Sequence, residues 1–131
     1  MESKKGGRVV ALDTNILLSI AKFKVDVFAE ARKEFGNVSF AVPAQVMKEL
    51  QGLKGKGKRM ENAAEIAEKL IERHGAKIVD VNAGDADSAL AELARGGAVI
   101  ATNDARLRKR IKTFGKVIYL RKKKMLGMEG G

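Results

Sequence analysis

Arg8-Val9-Val10-Ala11-Leu12-Asp13-Thr14-Asn15 reads as a strand stopped by a carboxylate and followed by a helix. Residues 8–12 are apolar or β-branched apart from the first, with no 3.6-residue period, and Asp13-Thr14-Asn15 supplies a stop and a cap. The same alternation continues outward. Helical patterns over 16–22 and 25–35 precede a strand over 38–42, and Pro43 opens a helix to Leu53. Further helices are expected over 60–73, 85–95 and 103–113, and further strands over 77–81, 98–101 and 116–120. Helices long enough for crossovers between short strands imply a three-layer α/β/α domain around a mostly parallel sheet. Residues 8–120 make that single domain. Residues 1–7 are expected to be flexible, and 121–131, basic and then glycine-rich, are expected to fray.

The 131 residues carry 26 Lys and Arg against 16 Asp and Glu, a net charge of +10, which favours a polyanionic partner such as nucleic acid. The excess is concentrated late in the chain: residues 101–131 hold 10 bases and 2 acids. Arg106, Arg108 and Lys109 on one expected helix, and Lys54, Lys56, Lys58 and Arg59 in a glycine-rich loop, are the candidate phosphate-binding side chains. That loop lacks the Gly-Lys-Ser/Thr ending of a nucleotide-binding phosphate loop and follows a helix, so nucleoside triphosphate is excluded. With 5 Phe, 1 Tyr and no Trp, base stacking is not the main source of affinity.

No Cys and one His rule out thiolate zinc sites and cysteine nucleophiles and leave little room for a serine triad. Any catalysis runs on carboxylates. His74, before Gly75, suits a helix C-terminus. Glu61, Glu65, Glu68 and Glu72 follow the polar side of one helix and are explained by solvent. Four other acids are not. Asp13 ends a central strand, where open parallel sheets present their ligand crevice. Asp104 steps by three, four and three with Leu107, Ile111 and Phe114, in line with a buried stripe. Asp87 begins the apolar face of Leu90, Ala91 and Ala94, and Glu49 borders the stripe of Val46 and Leu53. Asp85, after Gly84, is the better helix cap and Asp87 the better ligand, although an unwound first turn would recruit both.

If Asp13, Glu49, Asp87 and Asp104 converge, they either share protons or hold a divalent cation. Ligation by oxygen alone favours Mg²⁺ or Mn²⁺ over Zn²⁺. Thr14, Asn15, Thr102 and Asn103 are candidates for orienting the carboxylates, with helix capping and turn formation as their alternative use. A cation held by acids beside a basic surface suits metal-assisted phosphodiester cleavage. A haloacid-dehalogenase-type phosphatase would need a second acid where Asn15 stands.

Val10-Ala11-Leu12-Asp13-Thr14-Asn15, Pro43 to Leu50 with Glu49, Ala86-Asp87-Ser88-Ala89-Leu90 and Ala101-Thr102-Asn103-Asp104-Ala105-Arg106-Leu107 resemble, in order, the four acidic motifs of PIN-domain ribonucleases. The resemblance runs from about Arg8 to Leu120. It is greatest to archaeal relatives of the PIN endonuclease that processes small-subunit ribosomal RNA, and extends to VapC-type toxin ribonucleases. It implies Mg²⁺- or Mn²⁺-dependent cleavage of single-stranded RNA by metal-activated water, with ribosomal RNA as one possible substrate, homodimers, and an antitoxin or ribosome-assembly partner. The alternative is a non-catalytic RNA-binding or ribosome-assembly module that retains the acidic pocket. No apolar run approaches the ~20 residues of a membrane span and no signal peptide is apparent, so a cytoplasmic protein is expected.

Overall fold

The computed structural model describes residues 7–121 and 125–130. Its elements are β1 (Arg8–Leu12), α1 (Thr14–Phe23), α2 (Val27–Phe35), β2 (Val38–Pro43), α3 (Ala44–Leu53), α4 (Lys58–Arg73), β3 (Lys77–Val79), α5 (Ala86–Arg95), β4 (Val99–Ala101), α6 (Ala105–Ile111), β5 (Val117–Arg121) and β6 (Met125–Glu129). They form one six-stranded sheet in the order β3-β2-β1-β4-β5-β6. β1 to β5 are parallel, and β6 runs antiparallel to β5. The fold is the mostly parallel α/β architecture expected. α1 packs on α2, α3 and α4, and α5 packs on α6, which with right-handed crossovers makes the two helical layers.

β1 sits centrally because it can be buried on both faces: Val10, Ala11 and Leu12 are all within 1% of full burial. Val46 and Leu50 of α3, Ala64, Ala67 and Ile71 of α4, and Leu90 and Ala94 of α5 bring their apolar stripes onto the same core. The chain leaves β1 toward β2 on one side and returns to β4 on the other. The carboxyl ends of β1 and β4 therefore flank the switch point where parallel sheets open a crevice.

Several boundaries move. Pro43 closes β2 and caps α3 rather than opening it, and α4 starts at Lys58. β3 ends at Val79, and α6 covers only 105–111, which leaves Phe114 outside the helix, 39% exposed, with the Arg95 guanidinium over its ring. The expected fraying is corrected for 125–129, which add a sixth strand, from Val117↔Glu129 to Arg121↔Met125; residue 131 lies outside the described residues. The expectations for 1–6 and for the basic run 122–124 fall outside the described residues. His74 caps α4, with its ring stacked on Phe28 and hydrogen-bonded to Asp26 and Arg32. These contacts give it a packing role.

Candidate metal centre and nucleic-acid face

Asp13 is placed by the end of β1. Its N–H donates to Ala101 O at 2.9 Å, so the residue after the strand is still held in the sheet while its side chain caps α1. Oδ1 accepts the Thr14 N–H at 2.7 Å and Oδ2 accepts the Thr102 hydroxyl at 2.7 Å. The residue is 5% exposed. Burial raises its carboxyl pKa to about 6; the Thr102 and Thr14 hydrogen bonds work the other way, and the charges of Asp87 and Glu49 add to the rise.

The turn after β4 is built around Asp13. Thr102 Oγ1, wholly buried, also accepts the Asp104 N–H at 3.0 Å. Asn15 Oδ1 accepts the Asn103 N–H at 2.9 Å, and Asn103 Oδ1 accepts the Leu120 N–H at 2.9 Å. Thr102, Asn15 and Asn103 thus tie the ends of β1, β4 and β5 together. Asp104 is the N-cap of α6, not part of its buried stripe: Oδ1 accepts from Arg106 N at 2.9 Å and Leu107 N at 3.3 Å. One edge of the carboxylate is occupied by the helix and the other is left for the crevice.

Asp87 stands in the first turn of α5, exposed, with its pKa raised by partial burial and then by the charges of Asp104, Asp85 and Glu49. Gln45 of α3 anchors the loop before it, donating to Val81 O at 2.8 Å and Ala83 O at 2.9 Å. No sequence signal marks Gln45, because a glutamine in a helix's first turn is ordinarily solvated.

Asp13, Asp87 and Asp104 each offer a carboxylate oxygen within 4.8 Å of the others. Full charges at that range repel by about 3 kcal/mol per pair at an effective dielectric near 20, less where water reaches Asp87. Asp13, Asp87 and Asp104 would together hold a divalent cation, whose charge would offset that repulsion. The donor set is all oxygen and fits a hard divalent ion. Glu49 lies outside the trio: it is exposed and accepts a short hydrogen bond from the Thr14 hydroxyl, while its charge reaches Asp13 and Asp87. Asp85 is also outside it. Its Oδ1 accepts the Ser88 N–H at 2.7 Å, and that bond lowers its pKa; of the two acids it is Asp87 that joins the trio.

The basic candidates divide. Lys56, Arg59, Arg106 and Lys109 are exposed. Lys54 is paired with Glu68 at 2.7 Å, and Lys58 lies 3.9 Å from Glu61. Arg108, expected on the phosphate-binding surface, is instead committed to the fold, with its guanidinium 3.6 Å from the Tyr119 ring centre and 3.3 Å from Glu129. A cavity of about 490 Å³ lies between α1 and α4, lined by Leu18, Lys22, Arg59 and Met60 among others, and none of the acids borders it.

No curated protein matches the sequence. Among solved structures, the PIN domain endonuclease Utp24 superposes with a TM-score of 0.72 at 20% identity, over 90% of this chain and 88% of that one. A chain of VapBC2 from Rickettsia felis, solved bound to a DNA fragment from its promoter, superposes with a TM-score of 0.58 at 22% identity, over 79% of this chain and 92% of that one. The profile of the PIN like domain matches residues 10–123, from inside β1 to beyond β5 and therefore across Asp13, Glu49, Asp85, Asp87 and Asp104. A carboxylate trio at the switch point of a parallel sheet, within a match of that extent, makes this chain a member of the PIN-like domain family.

Proposed function

We propose that this protein is a divalent-metal-dependent endoribonuclease that hydrolyses single-stranded RNA. The observation that carries the reading is the oxygen trio of Asp13, Asp87 and Asp104 within 4.8 Å, one member of it buried. These three residues would hold Mg²⁺ or Mn²⁺, which when bound supplies charge neutralisation at the phosphate and acidifies a water. The chain's own residues do the rest. Thr102 fixes the buried edge of Asp13 and the backbone of Asp104 together, so two ligands move as one unit. Glu49, oriented by Thr14, stands at the rim to accept a proton from the attacking water. Hydrolysis adds water across one P–O bond, leaving a phosphate on one fragment and a hydroxyl on the other. Arg106, Lys109, Lys56 and Arg59 supply exposed positive charge for the RNA backbone. No described helix is long and apolar enough to cross a membrane. We place the enzyme in the cytoplasm, acting on ribosomal RNA or as a toxin-type RNase restrained by an antitoxin.

A fluorescein-labelled single-stranded RNA incubated with MnCl₂ or EDTA tests this. Cleavage is expected with Mn²⁺, none with EDTA, and a fall of more than about 100-fold in Asp13→Asn with RNA binding retained. Cleavage that persists in EDTA, or at full rate in the variant, overturns the reading. RNA binding with no cleavage under any metal points to the non-catalytic RNA-binding module.

A further inference from the structure

We propose that Gln45 is a positioning residue for the metal centre, fixing the start of α5 so that Asp87 meets Asp13 and Asp104. The inference rests on the nuclease reading above and names what places its third ligand. Asp13 and Asp104 are tied to each other through the Thr102 hydroxyl. Asp87 has no such tie: its carboxylate accepts no hydrogen bond among the described residues, so its place depends on how the first turn of α5 is held.

Packing alone does not fix that turn. The buried face of α5 is Ala86, Ala89, Leu90, Ala91 and Ala94, one large side chain among four methyl groups, and apolar contact of that kind is non-directional. The segment 80–85 leads into the helix from β3, a three-residue strand at the edge of the sheet. Among the described residues, the hydrogen bonds that reach the main chain of 80–84 from another element both come from the Gln45 amide, to Val81 O at 2.8 Å and Ala83 O at 2.9 Å. Such bonds are directional, and two of them from one nitrogen set the segment's position against α3.

Two features separate Gln45 from a helix residue that merely satisfies its surroundings. Both amide protons are spent on the two carbonyls, which settles the orientation of the amide, since a flip would set oxygen against oxygen. Oε1 is then left buried with no partner among the described residues, a cost that a side chain chosen for packing would not carry. The second feature is the neighbour one turn along the same face of α3. Glu49 accepts the Thr14 hydroxyl, and the Thr14 N–H donates to Asp13. One face of α3 therefore braces the segment before Asp87 at Gln45 and the residue after Asp13 at Glu49, and the helix acts as the spacer between two ligands.

The test compares Q45M with Q51M. Each replaces a glutamine of α3 by a side chain of similar length that donates no hydrogen bond; Gln51 bonds Glu68 of α4, so Q51M makes the same chemical change at the other end of the helix. Mn²⁺ affinity is measured by calorimetry, amide exchange over 85–90 in EDTA, and cleavage kinetics on a labelled single-stranded RNA. Q45M is expected to bind Mn²⁺ about 10-fold more weakly, to exchange those amides about 10-fold faster and to lose kcat with KM held within about 2-fold. Q51M should stay within about 2-fold of the wild type in all three. Gln45→Asn keeps the amide but is one methylene too short to hold both carbonyls; it should fall between the two, and it decides by the same criteria if Q45M does not fold. Wild-type Mn²⁺ affinity in Q45M, with or without faster exchange, or equal losses in Q45M and Q51M, overturns the inference and leaves the nuclease reading standing. If the wild-type protein neither takes up Mn²⁺ nor cleaves RNA, both fail together.

Discussion

Asp13 is the residue at which the fold and the proposed chemistry pull against each other. With its pKa raised to about 6 by burial, its folded value lies above the unfolded one. Such a group contributes stability that is fully present below about pH 3.9 and is lost as pH rises through about 6. In EDTA at pH 7.5, Asp13→Asn is therefore expected to be more stable than the wild type by about 1–3 kcal/mol, with the gap closing toward pH 4. Urea unfolding at the two pH values measures this; a gap that does not shrink on acidification places the carboxyl in a solvated setting. The same proton competes with the cation, so Mn²⁺ affinity should fall about tenfold per unit below pH 6. Thr102 sets how far the shift goes, because its hydroxyl both donates to Asp13 and accepts from the Asp104 N–H. Thr102→Val keeps the shape and orphans both groups. It should cost about 1–3 kcal/mol and move the pH midpoint of Mn²⁺ binding upward. An unchanged midpoint would show that the hydroxyl does not tune the carboxylate.

At the scale of elements, β6 shows how a tertiary clasp overrides local sequence. Its flanking basic run and Gly127, Gly130 and Gly131 read as a loose end. The strand forms because Arg108 reaches Tyr119 on β5 and Glu129 on β6 at once, and because Gly127 and Gly130 leave room where a side chain would collide with Tyr119 and the Gly115 carbonyl. Arg108→Gln should cost about 1 kcal/mol, from one cation–π contact and one partly buried ion pair, and should speed amide exchange over 125–129 while changing RNA affinity little. A loss of RNA binding without faster exchange would return Arg108 to the phosphate face. The central sheet was legible because each strand is a short apolar run between helical periods, a pattern that burial on both faces enforces. Asp13 was legible as an acid at the carboxyl end of a central strand, and Asp87 as one that begins an apolar helix face. Asp104 was legible as an acid out of place, but its geometry was not: a side chain that accepts the N–H groups of Arg106 and Leu107 caps the start of a helix instead of lining it. β6 and the engagement of Arg108 with Tyr119 and Glu129 were hidden, since like charges in a run differ only in what lies beside them.

For the whole molecule, the three acids draw on distant parts of the chain: Asp13 after the first strand, Asp87 at the start of α5 and Asp104 after β4. They meet only when β1, β4 and α5 are docked, so an unfolded chain offers no comparable site. A ligand that binds only the native state stabilises it by RT ln(1 + [L]/Kd), about 2.7 kcal/mol at a hundredfold excess over Kd. For a domain of 131 residues that corresponds to a rise in Tm of roughly 10 °C. Mn²⁺ at such an excess is therefore expected to raise the melting midpoint at pH 7.5 by that amount, and EDTA to reverse it. The shift should shrink at pH 5, where Asp13 holds its proton, and collapse in Asp13→Asn, which begins from a higher metal-free Tm. The two effects have opposite sign in one variant, which separates a cation site from a general stabilisation by salt. A wild-type midpoint that stays fixed in saturating Mn²⁺ would mean that the carboxylates meet without taking up an ion, and their mutual repulsion would need another counterweight.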